Sequence, residues 1–249
     1  MYLTIKGLVL RVTNYNDTDA LLTVLTQEHG RLTVKVRNLR RRNSRLNAPC
    51  QLLAYSEFTL FAYKDLYTLN EAGTIELFQG LRKDVQKLSL GSYFAQVAEV
   101  LSQEDMPTPE VLSLTLNSLY AISSLNLNEM QIKATFELRC ACLAGYTPDL
   151  GGCAGCGSAD TDMFNVSSAQ LECSECREYE SVGIRVPVTP SVLEAMRYIC
   201  SCHSKKIFAY TLGEEALMML SQVAELYLVT QLERGFATLD FYKSLLVMP

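Results

Sequence analysis

The stretch "ALLTVLTQEHGRLTVKVRNLRRRNSR", residues 20–45, decides how the N-terminal third is read. In its centre Leu32, Val34 and Val36 alternate with Arg31, Thr33, Lys35 and Arg37, the period of a strand with one buried face and one basic face. The segment before it, 20–26, is rich in β-formers, and Gly30 can supply the positive φ of a hairpin connection. Arg40, Arg41, Arg42 and Arg45 follow as a loop, so residues 31–45 hold seven cations and no acid. Such a run is either a solvated loop or a surface built for phosphate.

Outward from this hairpin the strands continue. "YLTIKGLVLRV" (2–12) reads as an opening strand, and "SEFTLFAY" (56–63) with "LYTLNEA" (66–72) as a hairpin turning at Lys64-Asp65. Five short strands without a helical period predict a small closed antiparallel barrel, with an OB-fold the leading candidate. Phe61 and Tyr63 share one face of their strand, and Phe58, Leu60 and Ala62 the other. We read Phe61 and Tyr63 as core; the alternative is that they stand beside the cations as a stacking surface for bases.

From residue 84 the period becomes helical. Thr108 and Pro109 mark a start, followed by Leu112, Leu116, Leu119 and Ile122; Ile132, Phe136, Cys140 and Leu143 form a second stripe ending at Gly145. Thr189-Pro190 opens a third helix, and Leu217, Leu220, Ala224, Leu228 and Leu232 line a fourth. These stripes predict a helical core.

Between the helices lies "CAGCGSADTDMFNVSSAQLECSEC" (153–176), two C-x-x-C knuckles sixteen residues apart. Cys153, Cys156, Cys173 and Cys176 at that spacing suit one structural Zn2+ in a ribbon whose four thiolates leave no open position. A redox C-x-x-C pair or unliganded thiols are the competing readings. Cys50, Cys140 and Cys142 read as small buried residues, while Cys200, Cys202 and His203 lie close enough in sequence to suggest a weaker metal site.

The predicted organisation is therefore α+β and multidomain: an OB-fold barrel at 1–80, a helical domain from 81–149 and 187–249, and a zinc-ribbon module inserted at 150–186. With 249 residues, 49% hydrophobic and 20% charged, the chain is globular and not disordered. No secretion signal and no apolar run of about 18 residues is present, which predicts a cytoplasmic protein without a membrane span. Nine cysteines in such a chain argue against a disulfide framework. Net charge is −5, but residues 1–80 carry +3 and the remainder −8, so the two parts are expected to meet different partners. No P-loop, nucleophile elbow, H-E-x-x-H or dinucleotide fingerprint occurs, and no catalytic residue is assigned.

The order of parts resembles the RecO family of recombination mediators in bacterial DNA repair. The stretches that carry the resemblance are "YNDTDALLTVLTQEHG" (15–30) and "FELRCACLAGYTPDLGGCAGCG" (136–157). It implies a non-enzymatic protein of the bacterial cytoplasm and nucleoid that binds single- and double-stranded DNA and anneals complementary strands. It further implies that RecR and single-strand binding protein are direct partners and that RecA is helped indirectly. On this chain, Arg31, Lys35, Arg37, Arg40, Arg41, Arg42 and Arg45 would form the DNA surface, and Cys153, Cys156, Cys173 and Cys176 would hold zinc. Lys133 and Arg139, on the helix before the ribbon, are candidate contacts for the acidic C-terminal tail of single-strand binding protein. The alternative of another class is an OB-fold and zinc-ribbon adaptor for RNA or transcription.

Overall fold

The computed structural model describes residues 1–42, 44–64, 66–177 and 183–247. Contacts divide the chain into two units, Met1–Asn126 with Phe236–Pro249, and Leu127–Gly235.

In the first unit β1 (Tyr2–Asn14), β2 (Ala20–Thr26), β3 (Arg31–Val36), β4 (Tyr55–Tyr63) and β5 (Leu66–Glu76) close into a barrel in the order β1-β2-β3-β5-β4. The long first strand makes closure possible. Its residues 2–8 pair with β4 and its residues 7–14 with β2, so Gly7 lies at the corner shared by both ladders. A Cβ at Gly7 would collide with the Val24 side chain, and a bulge between Val9 and Arg11 turns the strand further. Hydrophobic alternation carries through: Leu22, Val24, Val34, Val36, Phe58 and Leu60 fill the interior. Gly30 adopts φ 60° in the β2–β3 hairpin, as expected. One seam differs from the wholly antiparallel barrel. β3 and β5 run parallel, with Val34 beside Tyr67 and Lys35 beside Thr68, the arrangement of an OB-like barrel. At the β4–β5 turn, Tyr63 pairs with Leu66; Asp65 of the predicted Lys64-Asp65 turn lies outside the described residues.

Three helices complete this unit before the chain leaves it: α1 (Gln79–Arg82), α2 (Val85–Leu101) and α3 (Pro109–Ser124). Asp84 caps α2 by accepting from the backbone N–H groups of Gln86 and Lys87. Thr108 stands at the N-cap of α3 but its hydroxyl makes no capping bond, leaving Pro109 as the start signal.

The second unit contains α4 (Glu129–Leu143), the short strands β6 (Asp149–Cys153), β7 (Met163–Asn165), β8 (Gln170–Glu172) and β9 (Arg185–Pro187), then α5 (Pro190–Ser201) and α6 (Glu214–Gln231). Afterwards α7 (Ala237–Val247) returns to the first unit and packs on α2, Thr238 donating to Gln96 and Phe236 meeting the Tyr93 ring edge-on. Composition groups all the helices together, whereas contacts share them between two units. An apolar stripe shows that a helix is buried but not against what. No helix among the described residues is long and apolar enough to cross a membrane.

Helix α4 is buried all round from Gln131 to Leu138, so a charge within it needs a partner inside the protein. Lys133 finds two: its Nζ lies 2.9 Å from Glu137 and 2.7 Å from Glu225 of α6. Burial alone would push this amine's pKa down; the two carboxylates outweigh that and hold it above the ordinary lysine value. Lys133→Met removes the cation facing a fully buried Glu137, and is expected to destabilise the second unit by about 3–5 kcal/mol in urea titrations followed by circular dichroism. An unchanged midpoint would show that the triad contributes nothing to stability.

Candidate nucleic-acid face and metal centre

The basic face begins with strand pairing. Tyr2 of β1 is opposite Phe61 of β4, Phe61 is opposite Thr68 of β5, and Thr68 is beside Lys35 of β3. Paired residues point to the same side of a sheet, so these four form one row across the outside of the barrel. Tyr2 is 64% exposed, Phe61 42% and Tyr63 62%, and the Tyr2 and Phe61 rings meet edge-on at 5.5 Å. This overturns the reading of Phe61 and Tyr63 as core; Phe58 and Leu60 are the buried set. With strands about 4.8 Å apart, Phe61 and Lys35 are separated by about 10 Å along the row. Rings and cations thus share one face.

The seven cations do not have equal freedom. Arg31 donates through Nη1 to the Glu99 carbonyl near the end of α2, 2.9 Å away, so its guanidinium serves the helix terminus. Lys35 lies over the Tyr15 ring, 4.7 Å from its centroid, and 3.9 Å from Asp19. Arg40 donates to the Asn16 carbonyl at 2.9 Å, and its backbone N–H donates to Thr18. Arg37, Arg41, Arg42 and Arg45 are exposed and engage no acid among the described residues. Among the described residues, four guanidiniums therefore remain without an acidic partner and can meet an anionic ligand.

The turn at residues 15–19 holds this loop in place. Asp19 accepts from the backbone N–H of Asn38 at 2.9 Å, and from the side chains of Asn16 and Thr18. The Asn38 bond is the main cause that keeps the Asp19 carboxyl below its usual range, with Asn16, Thr18 and Lys35 adding to it. Asn38 itself takes φ 55°, and Leu39 inserts into the barrel core. The loop is anchored at its start and presents arginines outward.

In the second unit the four predicted ligands converge. The Sγ atoms of Cys153, Cys156, Cys173 and Cys176 all lie within 4.8 Å of one another. Sulfurs about 2.3 Å from a central ion form a tetrahedron with edges of about 3.8 Å. Cys156 and Cys173 are 3.8 Å apart. Each knuckle is closed by a backbone bond, Gly157 N–H to Cys153 and Arg177 N–H to Cys173. Gly155 is required at this approach because a Cβ there would lie 2.9 Å from the Cys176 Cβ and 3.0 Å from its sulfur. Backbone N–H groups of Cys156, Cys173 and Gly155 pull the Cys153 thiol down to about 6, whereas bonds to Cys156 and Cys173 push Cys176 up to about 12. One anionic sulfur held by N–H donors among three more thiols is a donor set that fits a soft divalent cation.

The strands of the ribbon are ordered β6-β8-β7-β9, and Arg185 bridges to Glu172 at 2.7 Å. Phe164 packs edge-on against Tyr227 of α6, and Gln231 donates to the Val166 carbonyl, fixing the ribbon to its helices. Residues 178–182 of the predicted 150–186 module lie outside the described residues.

Comparison with known proteins divides the chain at the end of the barrel, not between the two units. Residues 1–78 match the family model described as recombination protein O N terminal, and residues 82–240 match recombination protein O C terminal. The chain belongs to the RecO family. The DNA repair protein RecO of Acetivibrio thermocellus is 31% identical over 246 residues, covering 98% of this chain and 97% of that protein. That of Bacillus subtilis is 28% identical over 223 residues, 89% of this chain and 86% of the relative. With RecO membership goes a role in DNA repair and recombination.

Three expectations for this chain need correction. Lys133 is buried in its triad, and Arg139 donates to the carbonyls of Ile199 and Cys200 at the end of α5, so neither is an open contact for an acidic tail. Cys142 is not merely a small buried residue: it is half-buried, 3.6 Å from Cys200. Cys200, Cys202 and His203 do not group as metal ligands among the described residues. Residues that sequence reasoning missed are Tyr2 and Tyr15, which join the cationic face through strand pairing and ring contact.

Proposed function

We propose that this RecO-family chain binds single- and double-stranded DNA through its barrel and anneals complementary strands. The observation that carries this reading is the outer row of Tyr2, Phe61, Thr68 and Lys35 beside a loop with four free arginines. Guanidiniums take phosphate oxygens, often in bidentate pairs, while exposed rings stack on bases without reading their sequence. A strand held in this way keeps its pairing edges available, and the positive field reduces the repulsion met by its complement. Neither step needs a nucleotide hydrolysed or a catalytic side chain.

In this reading the chain acts with RecR to help RecA load onto DNA coated by single-strand binding protein, whose C-terminal tail is a direct partner; family membership supports these assignments. The ion in the four-cysteine site is zinc, one per chain, with a structural role, supported by the all-thiolate donor set and the closed coordination.

The test is annealing of complementary oligonucleotides, bare and coated with the same species' single-strand binding protein, in the absence of ATP. Acceleration over the spontaneous rate in both cases is expected. Phe61→Ala with Tyr63→Ala should weaken single-strand binding by about 1–3 kcal/mol per stacked base while leaving the salt dependence unchanged. Tight DNA binding with annealing left at the spontaneous rate would reject the annealing role, and stronger binding to structured RNA would favour the adaptor alternative.

A further inference from the structure

Outside the ribbon, the second unit contains another sulfur pair. Cys142 lies in the last turn of α4 and Cys200 in the last turn of α5, with their Sγ atoms 3.6 Å apart and 58 positions separating them in sequence. Both side chains are half-buried, so a small oxidant can reach them. Arg139, one turn before Cys142, directs its guanidinium at the carbonyls of Ile199 and Cys200, placing a fixed positive charge beside the sulfurs. The only group of metal-ligand type among the described residues is the ribbon, so this pair lacks the further ligands a metal would need.

We propose that Cys142 and Cys200 are a site of reversible oxidation, forming a disulfide that ties the helix before the ribbon to the helix after it. The roles of the two sulfurs are unequal. The contact with Cys200 lowers the Cys142 pKa, with Thr147 and Arg139 adding to the effect, while the contact with Cys142 and burial raise that of Cys200. Cys142 is the attacking thiolate and Cys200 the resolving thiol.

The oxidant is a hydroperoxide, here hydrogen peroxide. The Cys142 thiolate attacks one peroxide oxygen; an S–O bond forms, the O–O bond breaks, hydroxide leaves, and Cys142 becomes a sulfenic acid. Cys200 then attacks the Cys142 sulfur and loses its proton, the S–S bond forms, and the second oxygen departs as water. In total, two thiols and one peroxide give one disulfide and two waters. A reducing dithiol reverses the change by thiol–disulfide exchange.

The cross-link would enclose all four ribbon cysteines within one covalent loop. Closing a loop of this length restricts the unfolded chain and should raise the thermal midpoint of the second unit by roughly 5–10 °C.

The experiment treats the metal-loaded full chain with low equivalents of hydrogen peroxide, blocks remaining thiols, and maps the linkage by mass spectrometry of a non-reduced digest. The expected results are a Cys142–Cys200 linkage, unchanged metal content, the rise in midpoint, and reversal by dithiothreitol. Cys142→Ser and Cys200→Ser should each abolish the linkage, and Cys202→Ser should retain it. Full alkylation of Cys142 and Cys200 after treatment of the wild-type chain, or a linkage through Cys202 or Cys140 instead, would overturn the proposal. Wild-type mapping decides the matter even if a serine variant folds poorly.

Discussion

Replacing Arg37, Arg41, Arg42 and Arg45 together by alanine is expected to lower single-strand DNA affinity by roughly 10²–10³ at about 0.1 M salt. Each phosphate neutralised on a single strand contributes about −0.7 to the slope of log affinity against log salt, so four free guanidiniums account for about −3. The quadruple variant should lose most of that slope and weaken binding to all sequences alike, because phosphate contacts carry no base information. Arg31→Ala provides the internal control. Its guanidinium is bonded to the Glu99 carbonyl, so its loss should reduce stability while leaving the slope unchanged. Fluorescence anisotropy over a salt series measures both variants. A quadruple variant with the wild-type slope would mean that the arginine loop is only solvated.

The other large effect concerns the ribbon. Cys176→Ser should reduce bound zinc from about one per chain to near none, because three thiolates no longer close the tetrahedron. Apparent binding free energies for structural zinc are about 10–16 kcal/mol, so loss of the ion should abolish cooperative folding of the ribbon and lower the melting transition of its unit. Elemental analysis and calorimetry measure the two consequences. The barrel lies in the other unit, and single-strand affinity per folded molecule should change little. Stoichiometric zinc retained by Cys176→Ser would exclude this cysteine as a ligand.

Much of this architecture can be read from short-range pattern. Alternation in residues 31–37 predicts β3 and its basic face, and the knuckle spacing predicts the sulfur cluster, because both depend on residues near one another in the chain. Long-range pairing is harder to read. Phe61 and Tyr63 lie on a face that alternation defines but cannot label as inside or outside; the pairing of β4 with β1 and β5 does that. The parallel β3–β5 seam has no local signal. Lys133 resembles a surface lysine until α4 proves to have no exposed face over its middle turns. Cys142 and Cys200 meet only because α4 and α5 pack together, which no spacing of cysteines reveals.

The tethering of the arginine loop by the turn at 15–19 also has a kinetic consequence. Asp19 and Thr18 hold the backbone N–H groups of Asn38 and Arg40, and the Asn16 carbonyl holds the Arg40 guanidinium, so the beginning of the loop is already ordered when a DNA strand arrives. A preorganised site loses less conformational entropy on association than a loop that must fold around its ligand. Asp19→Ala would leave every arginine in place and remove one negative charge, yet it should shorten the lifetime of the complex. Capture would remain fast, because the charges that steer the strand are intact, while release would accelerate as the loop regains its freedom.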